Sequence, residues 1–262
     1  MNKFFLGSIS MIAALVLFGA NVRAASIASY FGDPVNTAVT LDQNPIITAI
    51  GSQPGTFDGY TFTKWAIFVQ DSTGSMDLYS TLPIGDTYIP TVGDAVYAQG
   101  YLSPYHQIPE VASLSALNYV STVGAPTPPV FTIPQLLLSG TGTIPENIAG
   151  YVLQVQDVTL YTDSGATTLA TGNWPTTSTG FYIKDGGGNI MEFYYWPSSY
   201  SADGQMAGTP MPTGAFTFNG ILSQSGTYPP EITPLALVPE PSTVALVGVG
   251  LIGALAMRRR RS

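Results

Sequence analysis

Two stretches decide the fold when laid side by side: AIFVQDSTGSMDLYS (66–80) and FYIKDGGGNIMEFYY (181–195). Each reads as a β-favouring run that ends in an aspartate, Asp71 or Asp185. A Gly-containing turn follows, then a second run carrying one acidic residue, Asp77 or Glu192, and a tyrosine soon after. The likeness continues downstream. PTVGDAVYAQGYLSPYHQIPEV (90–111) and MPTGAFTFNGILSQSGTYPPEI (211–232) both run from Pro-Thr through an aromatic-bearing strand. Both interrupt that strand with a glycine, Gly100 or Gly220, and close on Pro-Glu plus an aliphatic residue. Conserved order with one loop of different length marks a duplication. A glycine inside a strand marks a bulge or a sharp bend.

Working outward, WAIFVQ, MDLYS, DAVYAQGYL, YVLQVQDVTLY, FYIKD, IMEFYYW and AFTFNGIL read as strands. Only IPQLLLSG and VASLSALNYV offer a helical turn or two. The class is all-β. The two halves meet at STVGAPTPPVFTIPQLLL (121–138), where Pro126, Pro128, Pro129 and Pro134 cannot donate in a ladder and keep the chain extended. The divisions expected are a signal peptide at 1–24, a first β domain at 25–120, a Pro-rich linker at 121–138, a second β domain at 139–237 and a tail at 238–262.

A strand ending in Asp, a tight turn, a second strand, then Gly-Asp and a strand with a central glycine resembles the OB-fold, a five-stranded Greek-key barrel. The resemblance spans roughly residues 40–120 and 145–237. It is similar to secreted bacterial OB-type modules and to the OB domains of helicases and transfer-RNA synthetases. It implies two tandem OB-like small β-barrels.

The ends carry a different message. MNKFFLGSISMIAALVLFGANVRA (1–24) has Lys3, an apolar run from Phe4 to Ala20, and small residues Val22 and Ala24 at the −3 and −1 places of a cleavage site. That is a secretory signal helix. At the other end, Ser242 to Met257 gives 16 uncharged residues, about 24 Å as a helix, followed by Arg258, Arg259, Arg260 and Arg261. This reads as a transmembrane helix whose arginines stay cytoplasmic. Val238-Pro239-Glu240-Pro241-Ser242 stands just before it. The three parts together resemble the PEP-CTERM sorting signal of Gram-negative bacteria. The resemblance implies recognition and processing by an exosortase after transient anchoring in the inner membrane, with delivery to the cell surface or an exopolysaccharide matrix.

Charge narrows the partners. Between the ends, residues 25–237 hold fifteen acidic residues and two basic ones, Lys64 and Lys184, a net charge of −13. Phosphate backbones are held through Lys and Arg, so nucleic acid is not an expected partner. There is no cysteine, hence no disulfide or thiolate chemistry. His106 is the single histidine, and no H-E-x-x-H, G-x-S-x-G or phosphate-loop pattern appears. Asp71, Asp77, Asp163 and Asp185 lack calcium-loop spacing and read as turn carboxylates. No catalytic residue, metal ligand or cofactor is assigned. The expected role is non-enzymatic, structural or adhesive. The alternatives are a carbohydrate-binding module, with Trp174, Tyr195 and Trp196 as glycan contacts, and a matrix-polymer hydrolase using paired acids.

Overall fold

A computed structural model describes residues 25–52, 55–57, 60–81, 88–103, 105, 108–137, 148–195, 206–223 and 230–238, with the side chains of 52–62 outside that description. The signal peptide, His106, Trp196 and the tail beyond Val238 lie outside it. Among the described residues 53% lie in strands and almost none in helix, so the body is all-β.

The first half forms β1 (Ala38–Leu41), β2 (Ile46–Ser52), a small β3 (Gly55–Phe57)–β4 (Tyr60–Phe62) hairpin, β5 (Trp65–Gln70), β6 (Ser75–Ser80), β7 (Asp94–Leu102) and β8 (Glu110–Thr122). β2 pairs antiparallel with β5, and β5 with β6. β6 then pairs parallel with β8, β8 antiparallel with β7, and β7 with β2. Five strands therefore close on themselves, and no sheet edge is left between them. β1 adds a short antiparallel strand along β7.

The second half repeats that circuit. β9 (Val130–Phe131) and the one-turn α1 (Ile133–Leu136) lead into β10 (Val152–Tyr161), β11 (Thr179–Lys184), β12 (Ile190–Tyr195), β13 (Phe216–Ser223) and β14 (Glu231–Val238). The closure runs β10–β11–β12–β14–β13–β10, with β12–β14 the parallel pair. Both circuits have the connectivity of the five-stranded Greek-key barrel that the sequence leads one to expect.

Gly100 and Gly220 occupy the same place in each circuit. The ladder shifts register between Gln99 and Gly100 and between Asn219 and Gly220. A Cβ on Gly100 would press into Ser113 O and Val111, and one on Gly220 would meet Thr233 O at 2.8 Å. Close backbone approach at a bulge is why neither position carries a side chain.

The two interiors are filled differently. Strand alternation sends Ile67, Val69, Met76, Leu78 and Val96 into an aliphatic first core. The 3₁₀ turn Ile27–Tyr30 stoppers it, with Ile27 fully buried. Asp71 fixes that stopper by accepting from Ile27 N at 2.8 Å, and it accepts from Thr73 N and Gly74 N within its own turn. The second core is aromatic. Phe181, Phe193, Phe216 and Phe218 line it, and Trp174 folds back from the long β10–β11 loop to plug it.

Two expectations are corrected at this level. VASLSALNYV holds no helical turn; it is the middle of β8, paired with β7 along nearly its whole length. The stretch 121–138 is more than a connector: β9 pairs parallel with β10, and Ile133 and Leu136 of α1 are fully buried in the second core.

Candidate functional site

The duplication places one constellation twice. On the outer face of the first barrel, Phe68 of β5 stands opposite Asp77 of β6, and Asp77 stands opposite Glu110 of β8. On the second barrel, Tyr182 of β11 stands opposite Glu192 of β12, and Glu192 opposite Glu231 of β14. Each set is therefore an aromatic ring and two carboxyls on three adjacent strands, at one level and on one face. Parallel neighbours lie about 4.8 Å apart, so the acids are side by side on one surface. They do not oppose each other across a gap, as two-acid glycoside hydrolysis requires.

The surroundings of the two sets differ. The turn Ile148–Tyr151 leading into β10 lies on the first set. Ala49, Ala66, Phe68 and Ile108 from the first half share one continuous apolar cluster with Ile148, Ala149 and the second core. Ser75 Oγ donates to Ala149 O, and Tyr151 OH donates to Asp71 O at 3.3 Å. Gly150 makes the approach possible: its φ is +77°, and a Cβ there would sit 3.0 Å from both Ile108 and Ser75 Oγ. Phe68 is 1% exposed, Asp77 8% and Glu110 7%. Tyr182, Glu192 and Glu231 are all half-buried.

Burial sets the electrostatics. Desolvation, then the neighbouring Glu110 charge, holds the Asp77 carboxyl well above the usual carboxylate range, and its Oδ1 is buried without a hydrogen-bond partner. Burial pushes Glu110 up to about 7, with the charge of Lys64 opposing. Glu192 and Glu231 are raised too, Glu231 by burial and then by Glu192, against the hydrogen bond that Ser223 Oγ donates to it at 3.2 Å. Two acids this close titrate as a pair.

The remaining turn carboxylates have structural partners. Asp163 accepts from Thr168 N at 2.7 Å and from Thr167 N, which holds its carboxyl below the ordinary value. Asp185 Oδ1 accepts from Asn189 N at 2.9 Å and ties the β11–β12 turn. Among the described residues no three His, Cys, Asp or Glu side chains come together.

The expected glycan contacts need correcting. Trp174 is 1% exposed and Tyr195 3%, with their rings 5.0 Å apart inside the second barrel. Neither presents a face to a sugar. Trp196 lies outside the described residues. Strand parity carried the signal for Tyr195, because Met191, Phe193 and Tyr195 share the inward face while Glu192 and Tyr194 face out. Trp174 had no such signal, since a loop has no period.

The sorting motif is placed at its first residue only. Val238 ends β14 and pairs with Thr217. Among the described residues no helix is long and apolar enough to cross a membrane; the segment expected to do so, 242–257, lies beyond them.

Comparison with known proteins gives one match in sequence: residues 237–261 fit the PEP-CTERM protein-sorting motif. The chain thus carries a signal for export and sorting through an exosortase. No curated protein matches it. Similar solved structures include one described as "Structural mimicry for functional antagonism", at 9% identity over 76% of this chain and 90% of that one, TM-score 0.36. A replication protein A heterotrimer bound to ssDNA gives 8% identity over 86% of this chain and 54% of that chain, TM-score 0.34. A murine DNA binding protein bound with ds DNA gives 13% identity over 76% and 90%, TM-score 0.29. At these scores none bears on what this chain binds.

Proposed function

We propose that the protein is a non-enzymatic component of the cell surface or exopolysaccharide matrix, exported as a membrane-tethered precursor and released from its tail by an exosortase. The observation that carries this reading is the sorting motif at 237–261. The acidic, cysteine-free body supports it, since −13 over residues 25–237 keeps a secreted protein soluble and repels nucleic acid.

The fold adds a limit on processing. β14 is the strand that closes the second barrel between β12 and β13, and it runs to Val238. A cut at or after Pro239 leaves the barrel whole. A cut inside 231–237 removes ladder bonds between the end of β14 and β13. We therefore place the scissile bond C-terminal to Val238.

Fractionation with intact mass of the native protein tests both statements. The expected species is found outside the inner membrane and ends beyond Val238, while replacing Pro239-Glu240-Pro241 by three alanines leaves the full tail on a membrane-bound chain. A native protein that keeps its arginines in the inner-membrane fraction overturns the reading, and a mature end before Val238 overturns the placement of the cut.

A further inference from the structure

The duplication extends one level further along the outer faces. On the first barrel Ala66 of β5 stands opposite Tyr79 of β6, next to the row of Phe68, Asp77 and Glu110. On the second, Gly180 of β11 stands opposite Tyr194 of β12, next to the row of Tyr182, Glu192 and Glu231. Residues two apart along a strand share a face. Tyr194 therefore adjoins Glu192 and Glu231 as Tyr79 adjoins Asp77 and Glu110. The adjacency is felt electrostatically in the first copy, where burial and then the charges of Glu110 and Asp77 raise the Tyr79 hydroxyl.

That first copy holds an ammonium group. Lys64 stands two residues before Ala66, and its Nζ lies 4.7 Å from the centroid of the Tyr79 ring, within cation–π range. The same charge opposes the rise of the Glu110 carboxyl, so ammonium, ring and carboxyl belong to one arrangement.

The second copy keeps the ring and the carboxyls but not the lysine. Two residues before Gly180 stands Ser178, which is exposed. Residues 25–237 contain no other cations than Lys64 and Lys184. Lys184 turns toward β10, with its Nζ 5.8 Å from the Tyr161 ring, on the side of β11 away from β12. Burial raises Glu192, and burial and then Glu192 raise Glu231, with no cation opposing either. Gly180 leaves the space beside them open: a Cβ there would stand 3.5 Å from Glu192 Oε1. Glu192, Tyr194 and Glu231 are all half-buried, hence reachable yet partly shielded from water, where a charge pair counts for more than in bulk solvent.

We infer that Tyr194, Glu192 and Glu231 form a docking site for the ammonium of a lysine side chain carried by a partner protein, the part that Lys64 plays within the first barrel. The net charge of −13 over residues 25–237 draws a basic partner toward it. An amino sugar carries the same charge on a ring carbon, without the flexible stem by which Lys64 reaches over its tyrosine. The inference stands independently of the matrix reading.

The test is a titration of the purified exported protein, at constant ionic strength, with N-acetyl-lysine methylamide, following the Tyr194 ring and the Glu192 and Glu231 side-chain resonances. Saturable shifts with a Kd of about 10 mM are expected, and none with the norleucine or Nε-acetyl-lysine analogues. Glu231→Gln should weaken binding about fivefold. Ser178→Lys rebuilds the first-copy arrangement from an exposed loop position. It should abolish the response to added lysine while the Phe193 and Phe218 resonances of the second core stay in place. Flat titrations overturn the inference, as do an equal response to the norleucine analogue and undiminished binding by the folded Ser178→Lys protein. A stronger response to glucosamine than to the capped lysine overturns the assignment to a lysine side chain.

Discussion

The outer faces of the two barrels are copies that have met different fates. Phe68, Asp77 and Glu110 on the first occupy the places of Tyr182, Glu192 and Glu231 on the second. The first set lies beneath the Ile148–Tyr151 turn, and the second is partly open. Duplication copies residues; docking then decides what each copy experiences. The covered set is a buried apolar seam around a costly carboxyl pair. In barrels of this connectivity the covered face is the one that commonly meets ligand; in the first barrel the Ile148–Tyr151 turn packs against it.

The comparison can be broken most forcefully at the plug of the second barrel. Trp174→Ala should cost about 5 kcal/mol in urea unfolding, since it empties an aromatic core that the aliphatic first barrel does not have. A loss below about 1 kcal/mol would mean that the indole is not the plug. At the equivalent outer positions the asymmetry should be direct. Phe68→Ala is expected to cost about 3 kcal/mol and to loosen the contact between the barrels, whereas Tyr182→Ala should cost less than about 1 kcal/mol. Equal costs would mean that the two faces are buried alike.

Next in size is a pH effect. Both Asp77 and Glu110 have folded-state pKa values above their unfolded ones, so the native state holds protons that the unfolded chain has released. Their stabilising protonated forms are fully present below the ordinary carboxylate range; that of Glu110 is lost as pH rises through about 7, and that of Asp77 as pH rises through its own raised value. The melting temperature should therefore be higher at pH 5 than at pH 8. Asp77→Asn should raise stability at pH 8 and flatten the slope, while Glu192→Gln on the open face should change it less. A slope unaltered by Asp77→Asn would place the titration elsewhere. The smallest effect concerns the first barrel's stopper. Ala25 N donates to Asp42 Oδ1 at 2.9 Å. A chain processed after Ala24 begins with an ammonium at that atom, so Asp42→Asn should lower stability by about 0.5–1 kcal/mol. It should do so only in the processed chain, as calorimetry of the two forms would show.

Much of the fold was legible because β-structure writes its local rules into adjacent residues. Asp71 and Asp185 close turns through their own backbone neighbours. Gly100 and Gly220 mark bulges where a neighbouring strand leaves no room for a Cβ. Alternation over 191–195 also separates inward rings from outward carboxyls. Trp174 escaped because its place depends on Thr209, which accepts its N–H at 2.8 Å from another loop, and on rings of β11 and β12. The candidate site was half legible. Asp77, Glu110, Glu192 and Glu231 each stand out in the repeat, but nothing nearby in sequence pairs them.

By itself, then, the sequence determined the all-β class, the duplication, the turns and bulges, the acidity of the body and the sorting signal, since each depends on residues close together along the chain. Tertiary structure alone decided that β6 lies parallel to β8 and β12 to β14, and that one copied face is sealed while the other is partly open. Those features join segments dozens of residues apart. They follow from barrel closure and from Gly150 letting one half settle on the other, which no local pattern encodes.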